Sequence, residues 1–338
     1  MVTLSPPLIA QVPGDLRWLR VEDASAIAAC RGAAVALAGR LEFPPARTDQ
    51  VALAVTEAAS NLHKHASQGA MLLRIGRDGA RAGIEMVTID AGPGVADTSA
   101  ALRDGHSTSG TLGIGLGAIR RLADFCDLYS APGHGTVLVA RFWPAPALEV
   151  VRHAGLVRPI TGETECGDVF GAVEWDGGVT GVLCDGLGHG PFAATAAMEA
   201  VRAVLEEPVA EPAALIERAH RRMHHTRGGA IGVVQIAGPA ILFGGLGNIA
   251  AVILADDSRK SMLSVPGIAG HQAGTIRQFE YTAPSGAAII LHSDGISNRW
   301  GRQELPGLRG RDPLVIAAAL LAEAGTRRDD AGVLVLKP

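Results

Sequence analysis

Residues 55–66 read Val55-Thr-Glu57-Ala-Ala-Ser-Asn61-Leu-His-Lys-His65-Ala66. Glu57, Asn61 and His65 fall at i, i+4 and i+8, which on an α-helix sets a carboxylate, an amide and an imidazole on one face. Such groups are poor material for apolar packing, although a solvated polar stripe explains these three equally well when they are taken alone. The segments that follow favour a ligand. Asp90-Ala-Gly92-Pro-Gly94 comes directly after an apolar strand, so a carboxylate stands at a strand end among glycines that let a ligand approach closely. Gly110-Thr-Leu-Gly113-Ile-Gly115-Leu-Gly117 then opens a helix, whose first N–H groups can cradle phosphates.

Two rival readings of the glycines are weaker. Gly113-Ile-Gly115-Leu-Gly117-Ala118 satisfies the dinucleotide fingerprint, but a loop precedes it and the strand TVLVARFW that follows ends without an acid. A Walker A loop is excluded because no Gly-Lys pair occurs. The order helix with Asn, strand with DxGxG, GxGxG with helix resembles the nucleotide-binding fold of histidine kinases, heat-shock chaperone ATPases and anti-sigma kinases. Within that group, GTLGIGLGAIRRLADF at 110–125 is similar to the short RsbT-type switch kinases, over about residues 15–143. The resemblance implies that Asn61 coordinates a Mg²⁺ bridging the ATP phosphates and that Asp90 accepts from the adenine amino group. Gly92, Gly94, Gly113, Gly115 and Gly117 would line the pocket, and Glu57 would act as general base on a protein serine. His65 matches an aromatic or His position of the family, with no role implied.

The C-terminal half offers Gly167-Asp168, Asp185-Gly186-Leu-Gly188-His189-Gly190, Ser293-Asp294-Gly295 and Asp329-Asp330, each at the edge of an apolar strand. One such Asp is usually a turn residue, but four are hard to explain as independent turns. Carboxylates gathered without counter-charges repel, and hard divalent cations relieve that repulsion. Two such cations can also clamp a phosphate for in-line attack. This order resembles the metal-dependent serine/threonine phosphatases, in their SpoIIE and RsbX branch, from about Leu148 to Lys337. The resemblance implies two Mn²⁺ or Mg²⁺ ions. Asp185 would bridge them, the Gly186 carbonyl would ligate one, and Asp294 and Asp329 would hold the other. Asp168 would bind a metal directly or through a water and take a catalytic part. Asp330 stands at a second polar position of the family. His189 is read equally as a proton donor or as a structural residue. The early arginine that grips phosphate in larger members has no motif here, and Arg152 and Arg158 are the available residues.

The remaining sequence bounds these readings. An apolar share of 48% with 19% charged residues is globular, and a net charge of −4 gives no basic field for nucleic acid. Cys30, Cys126, Cys166 and Cys184 form no CxxC pair and no zinc spacing, which suits reduced thiols in the cytoplasm. The N-terminus lacks the pattern of a signal peptide. The charge-free run 228–255 is broken by Gly and Pro into short apolar pieces and reads as consecutive strands, not as a membrane span. His220 and His224, at i and i+4, lack the Glu of HExxH and read as a solvated helix end.

Expected helices are 24–41, 48–65 with Thr48 as N-cap, 117–125, two between 191 and 225, and 313–324. The expected architecture is α/β (α+β) in two domains: residues 1–143 as a Bergerat-type α/β sandwich, and 144–338 as an α/β/β/α metal-phosphatase sandwich, parted at Trp143-Pro-Ala-Pro-Ala147. The resemblances imply a bifunctional kinase and phosphatase acting on STAS-domain antagonist or scaffold proteins, with a sigma factor or downstream switch protein as a further partner. The alternatives are a phosphatase gated by a non-catalytic ATP-sensing or docking domain, and an anti-sigma binding protein.

Overall fold

The computed structural model describes residues 8–9, 17–78, 81–95, 97–98, 115–145, 151–256, 258–300, 305–326 and 328–338. The chain divides into two compact units, residues 13–150 and residues 1–12 with 151–338. This differs at both edges from the expected division at 143–144. Leu8–Ile9 (β1) joins the second unit, because Leu8 pairs with Ala172 and Ile9 with Gly171 in antiparallel register.

The first unit runs β2 (Arg17–Arg20), α1 (Ala24–Arg40), α2 (Pro45–His65), β3 (Ala70–Asp78), β4 (Arg81–Asp90), α3 (Gly115–Leu122), β5 (Phe125–Ser130) and β6 (Thr136–Phe142). The strands form one antiparallel sheet in the order β2-β3-β4-β6-β5. Helix α2 buries Val51, Ala54, Val55, Ala58, Ala59 and Leu62, a stripe at helical spacing, in one core with Met71, Leu73, Ile84, Met86, Leu138 and Phe142. That stripe fixes the rotation of α2 and leaves Glu57 and Asn61 half-buried at its border and His65 exposed. Asp23 caps α1 by accepting from the N–H groups of Ser25 and Ala26 at 2.8 and 3.1 Å.

Two expectations are corrected here. Helix α2 starts at Pro45 and not after Thr48, since a proline at the first helical position loses no hydrogen bond and brings φ pre-set. The helix expected over 117–125 spans Gly115–Leu122, and Phe125 already begins a strand.

On the sheet face turned away from the helices, Glu85 lies buried between Arg74 and Arg141, its cross-strand partners on β3 and β6. Arg74 Nε donates to it at 2.8 Å and Arg141 Nε at 2.9 Å. The two guanidinium charges outweigh burial and hold the Glu85 carboxyl down at about 2.

The second unit runs β7 (His153–Arg158), β8 (Asp168–Trp175), β9 (Gly178–Gly186), α4 (Pro191–Leu205), α5 (Pro212–Arg222), β10 (Gly229–Ala237), β11 (Ala240–Leu246), β12 (Ala250–Leu254), β13 (Arg259–Met262), β14 (Gly267–Ile268), β15 (Gln272–Ala273), β16 (Gln278–Thr282), β17 (Ala288–His292), α6 (Pro313–Glu323) and β18 (Ala331–Leu336). One sheet has the order β1-β8-β9-β10-β11-β16 and the other β13-β12-β17-β18-β7. The sheets pack face to face so closely that a Cβ on Gly181 of β9 would lie 2.9 Å from Leu336 of β18. Helices α4 and α5 cover the first sheet and α6 the second, giving the expected α/β/β/α layering. The charge-free run 228–255 forms β10, β11 and β12, and no helix among the described residues is long and apolar enough to cross a membrane.

Candidate active sites

In the first unit, the end of α2, the end of β4 and the start of α3 meet. A Cβ on Gly115, the first residue of α3, would lie 2.9 Å from Asn61 Nδ2 and 3.0 Å from its Oδ1, so the helix start closes directly over that amide. Asp90 ends β4, and its Oδ1 accepts from the Gly92 N–H at 2.7 Å. A side chain at Gly92 would press on the same oxygen at 2.8 Å. Burial pushes the Asp90 carboxyl up, against the lowering effect of the Gly92 and Thr136 N–H groups. Gly94 adopts φ +74°, and a Cβ there would lie 2.1 Å from the Ala131 carbonyl oxygen, which admits only glycine.

The Ala91 N–H donates to Ser67 O at 2.8 Å, which ties the Asp box to the chain just beyond α2. Glu57 lies one turn before Asn61 on the same helix, and His65 is exposed at its end. Gly117 is buried within α3. Gly113 and the loop 105–113 lie outside the described residues. A half-buried carboxylate, an amide and a helix N-terminus, with glycines where side chains would intrude, suit an adenine nucleotide.

In the second unit, antiparallel pairing of β8 and β9 sets Asp168 directly opposite Asp185. Asp168 is fully buried; its Oδ2 accepts from Ser293 Oγ at 2.6 Å, and that Oγ accepts from the Gly332 N–H at 2.9 Å. Asp294 comes from the turn after β17, and its Oδ2 accepts from Asn248 Nδ2 at 2.7 Å. Asp329 precedes β18. Burial drives the Asp168 carboxyl well above the usual range, with the Asp185 charge next, and Asp185 is raised by burial, Asp294 and Asp329. Asp294 is raised in turn by burial and Asp329. The four carboxylates therefore share one electrostatic neighbourhood. Among the described residues, however, no three His, Cys, Asp or Glu side chains are drawn in to a common ligating point. The donor set is all oxygen, which is the chemistry of Mg²⁺ or Mn²⁺. Gly186 is backed by the chain so tightly that a Cβ would lie 2.1 Å from the Ala193 carbonyl oxygen.

Asp330 has a different occupation. Its two carboxylate oxygens accept from the N–H groups of Ile160 and Gly167, both at 2.7 Å, and so tie down the segment between β7 and β8. Of the two early arginines, one is engaged and the other distant. Arg158 gives Nη2 to the Thr326 carbonyl at 2.6 Å, while Arg152 adjoins His153, which pairs with Leu336 at the end of β18 remote from Asp329.

Sequence reasoning did not find Ser293, Asn248 and Glu163 as partners. His189 Nδ1 lies 2.8 Å from Glu163 Oε1, so an acid from the loop before β8 orients the imidazole. Ser293 stood in the segment Ser293-Asp294-Gly295 and Asn248 in the charge-free run 228–255, but only the pairing of strands reveals which Asp each one holds. His220 and His224 bind the hairpin of β14 and β15: His220 Nδ1 accepts from the Gly270 N–H at 3.0 Å, and His224 Nδ1 meets the Gly270 carbonyl at 2.8 Å.

The histidine kinase-like ATPase domain family matches residues 20–142. The serine/threonine-protein kinase RsbT of Bacillus subtilis (strain 168) is 32% identical over 129 residues, 38% of this chain and 97% of that protein. A solved structure from the bacterial stressosome, a modular system adapted to control secondary messenger signaling, is similar over 56% of this chain and all of its own, at 25% identity and TM-score 0.51. RsbX in complex with magnesium is 20% identical over 56% of this chain and 96% of its own, at TM-score 0.46. With nearly the whole of the kinase matched at that identity, the chain belongs, through residues 20–142, to the histidine kinase-like ATPases that include RsbT.

Proposed function

We propose that the chain is a signalling enzyme with two opposed activities, a protein serine/threonine kinase in residues 13–150 and a metal-dependent phosphoserine/phosphothreonine phosphatase in the other unit. The observation that carries the phosphatase is the cross-strand pair Asp168 and Asp185, raised together with Asp294 into a range that only protonation or bound cations can relieve. Two divalent cations bound there would neutralise the phosphoryl oxygens and acidify a water. Asp185 and the Gly186 carbonyl would hold them from β9, Asp294 and Asp329 from the ends of strands in the second sheet, and Asp168 from β8. Ser293 holds Asp168 in place by its hydrogen bond. His189, oriented by Glu163, is the group that would hand a proton to the departing serine oxygen.

The kinase reading is supported by the likeness to RsbT and by Asn61 lying against the start of α3. ATP would sit with its adenine at Asp90 and its phosphates at the N-terminus of α3, with Mg²⁺ on Asn61. Glu57 would take the proton of the accepting hydroxyl. The stressosome likeness supports a partner-switching setting, with STAS-domain proteins as the phosphorylated partners, in the cytoplasm. Incubation of the protein with a STAS-domain partner and labelled ATP, followed by a chase with Mn²⁺, is expected to give label transfer and then release. Absence of transfer ends the kinase reading, and label that survives the chase ends the phosphatase reading.

A further inference from the structure

We propose that Arg227 is the side chain that grips the phosphoryl group at the aspartate site, an assignment that rests on the phosphatase reading of that site. The backbone leading into β10 runs beside the turn that follows Asp185. The Leu187 N–H donates to Gly228 O at 2.9 Å, and Gly229 is the cross-strand partner of Gly186. From there Arg227 folds over the turn. Its Nη1 lies 3.1 Å from where a Cβ on Gly188 would be, so the guanidinium covers the middle of the segment Asp185–Gly190. Gly188 adopts φ +89°, and no side chain intervenes.

The guanidinium is held by a ring and not by an acid. Its carbon lies 5.1 Å from the centroid of Phe192, which is 70% exposed and so contributes little to the core. Among the described residues Arg227 has no carboxylate partner, whereas Arg218 and Arg222 on the neighbouring helix are both ion-paired. An exposed planar cation, propped on an aromatic face with its five donors uncommitted, matches a phosphoryl group that accepts through two oxygens at once. The side chains contributed by Asp168, Asp185 and Asp294 are all acids, so beyond bound cations an entering phosphate dianion needs a fixed positive group. The end of the same turn is occupied: a Cβ on Gly190 would lie 3.3 Å from Glu163 Oε2, beside His189. The turn thus has an imidazole with its acid at Gly190 and a guanidinium at Gly188. Leu187, 54% exposed, and Phe192 add apolar surface for the residues that flank a phosphoserine.

The test compares wild type, Arg227→Ala and Arg227→Lys in Mn²⁺ by two measurements: hydrolysis of a phosphoserine peptide, and calorimetric titration with inorganic phosphate. Arg227→Ala is expected to raise KM and weaken phosphate binding about tenfold each, with a smaller change in kcat and an unchanged circular dichroism spectrum. Arg227→Lys should recover part of the loss, because a point charge replaces the fork. A KM and a phosphate affinity within about twofold of wild type in Arg227→Ala overturn the assignment. If wild type fails to hydrolyse the peptide, the phosphatase reading falls, and the phosphate titration still decides on Arg227. Equal binding by wild type and Arg227→Ala, or no binding by wild type, then counts against it.

Discussion

Glu85 is the side chain on which the first unit's sheet is most exposed to mutation. It is buried between two arginines, and removal of its charge takes from both interior guanidinium groups the carboxylate they share. Glu85→Gln is expected to destabilise the first unit by about 3–5 kcal/mol, read by chemical denaturation; a loss under about 1 kcal/mol would show that water reaches the site. The pH dependence has a definite sign. The folded carboxyl titrates at about 2, below its ordinary 4.5, so its contribution is full above 4.5 and is lost as pH falls from there towards 2. Glu57→Gln is expected to lower phosphoryl transfer roughly 10²- to 10⁴-fold while ATP binding by titration calorimetry is retained. Equal transfer rates in the two proteins would make the first unit a docking or sensing module. Asp185→Asn should abolish Mn²⁺-dependent hydrolysis and the rise in unfolding temperature on adding Mn²⁺. A Mn²⁺ response that survives the substitution would remove Asp185 from the metal site.

Secondary structure was legible where the pattern was apolar and the punctuation strong, as in β3, β4, β8 to β12, β17 and β18. It failed where one of these was missing. β5 begins at Phe125, three residues after α3 ends, with no glycine or proline to announce it. β13, with sequence RKSM, and β16, with QFEYT, lie at sheet edges, where a strand needs little apolar character. The acid clusters were visible because each Asp stands in a short motif. The Arg74–Glu85–Arg141 triad was not, since its members lie 11 and 56 residues apart and only the strand register unites them. Glu163 and Arg227 were hidden for a related reason, being loop residues whose place depends on what lies beside the turn at Asp185. At this scale β1 also yields a prediction. Deletion of residues 1–12 uncovers the edge of β8 and should lower the unfolding temperature of the second unit by about 2–4 °C without altering ATP affinity. An unchanged unfolding temperature would mean that β1 adds nothing to the sheet.

Each unit has a hydrophobic core of its own, one built on α2 and the five-stranded sheet and one between α4 and α5 and the strands beneath them. Two ligand classes are therefore expected to act on two calorimetric transitions, ATP with Mg²⁺ raising one and Mn²⁺ the other. A single transition that answers to both would show that the units unfold together. The path of the chain has a further consequence for its synthesis. β1 precedes the ATP unit in the chain, but the strand it joins is made only after that entire unit has emerged, so Leu8 and Ile9 wait unpaired while residues 13–150 fold. In the other sheet β18, central between β17 and β7, is made after both of them. Asp294 and Asp329 likewise follow the whole ATP unit in the chain. A message that stops early would thus yield a complete ATP unit with no aspartate site to oppose it.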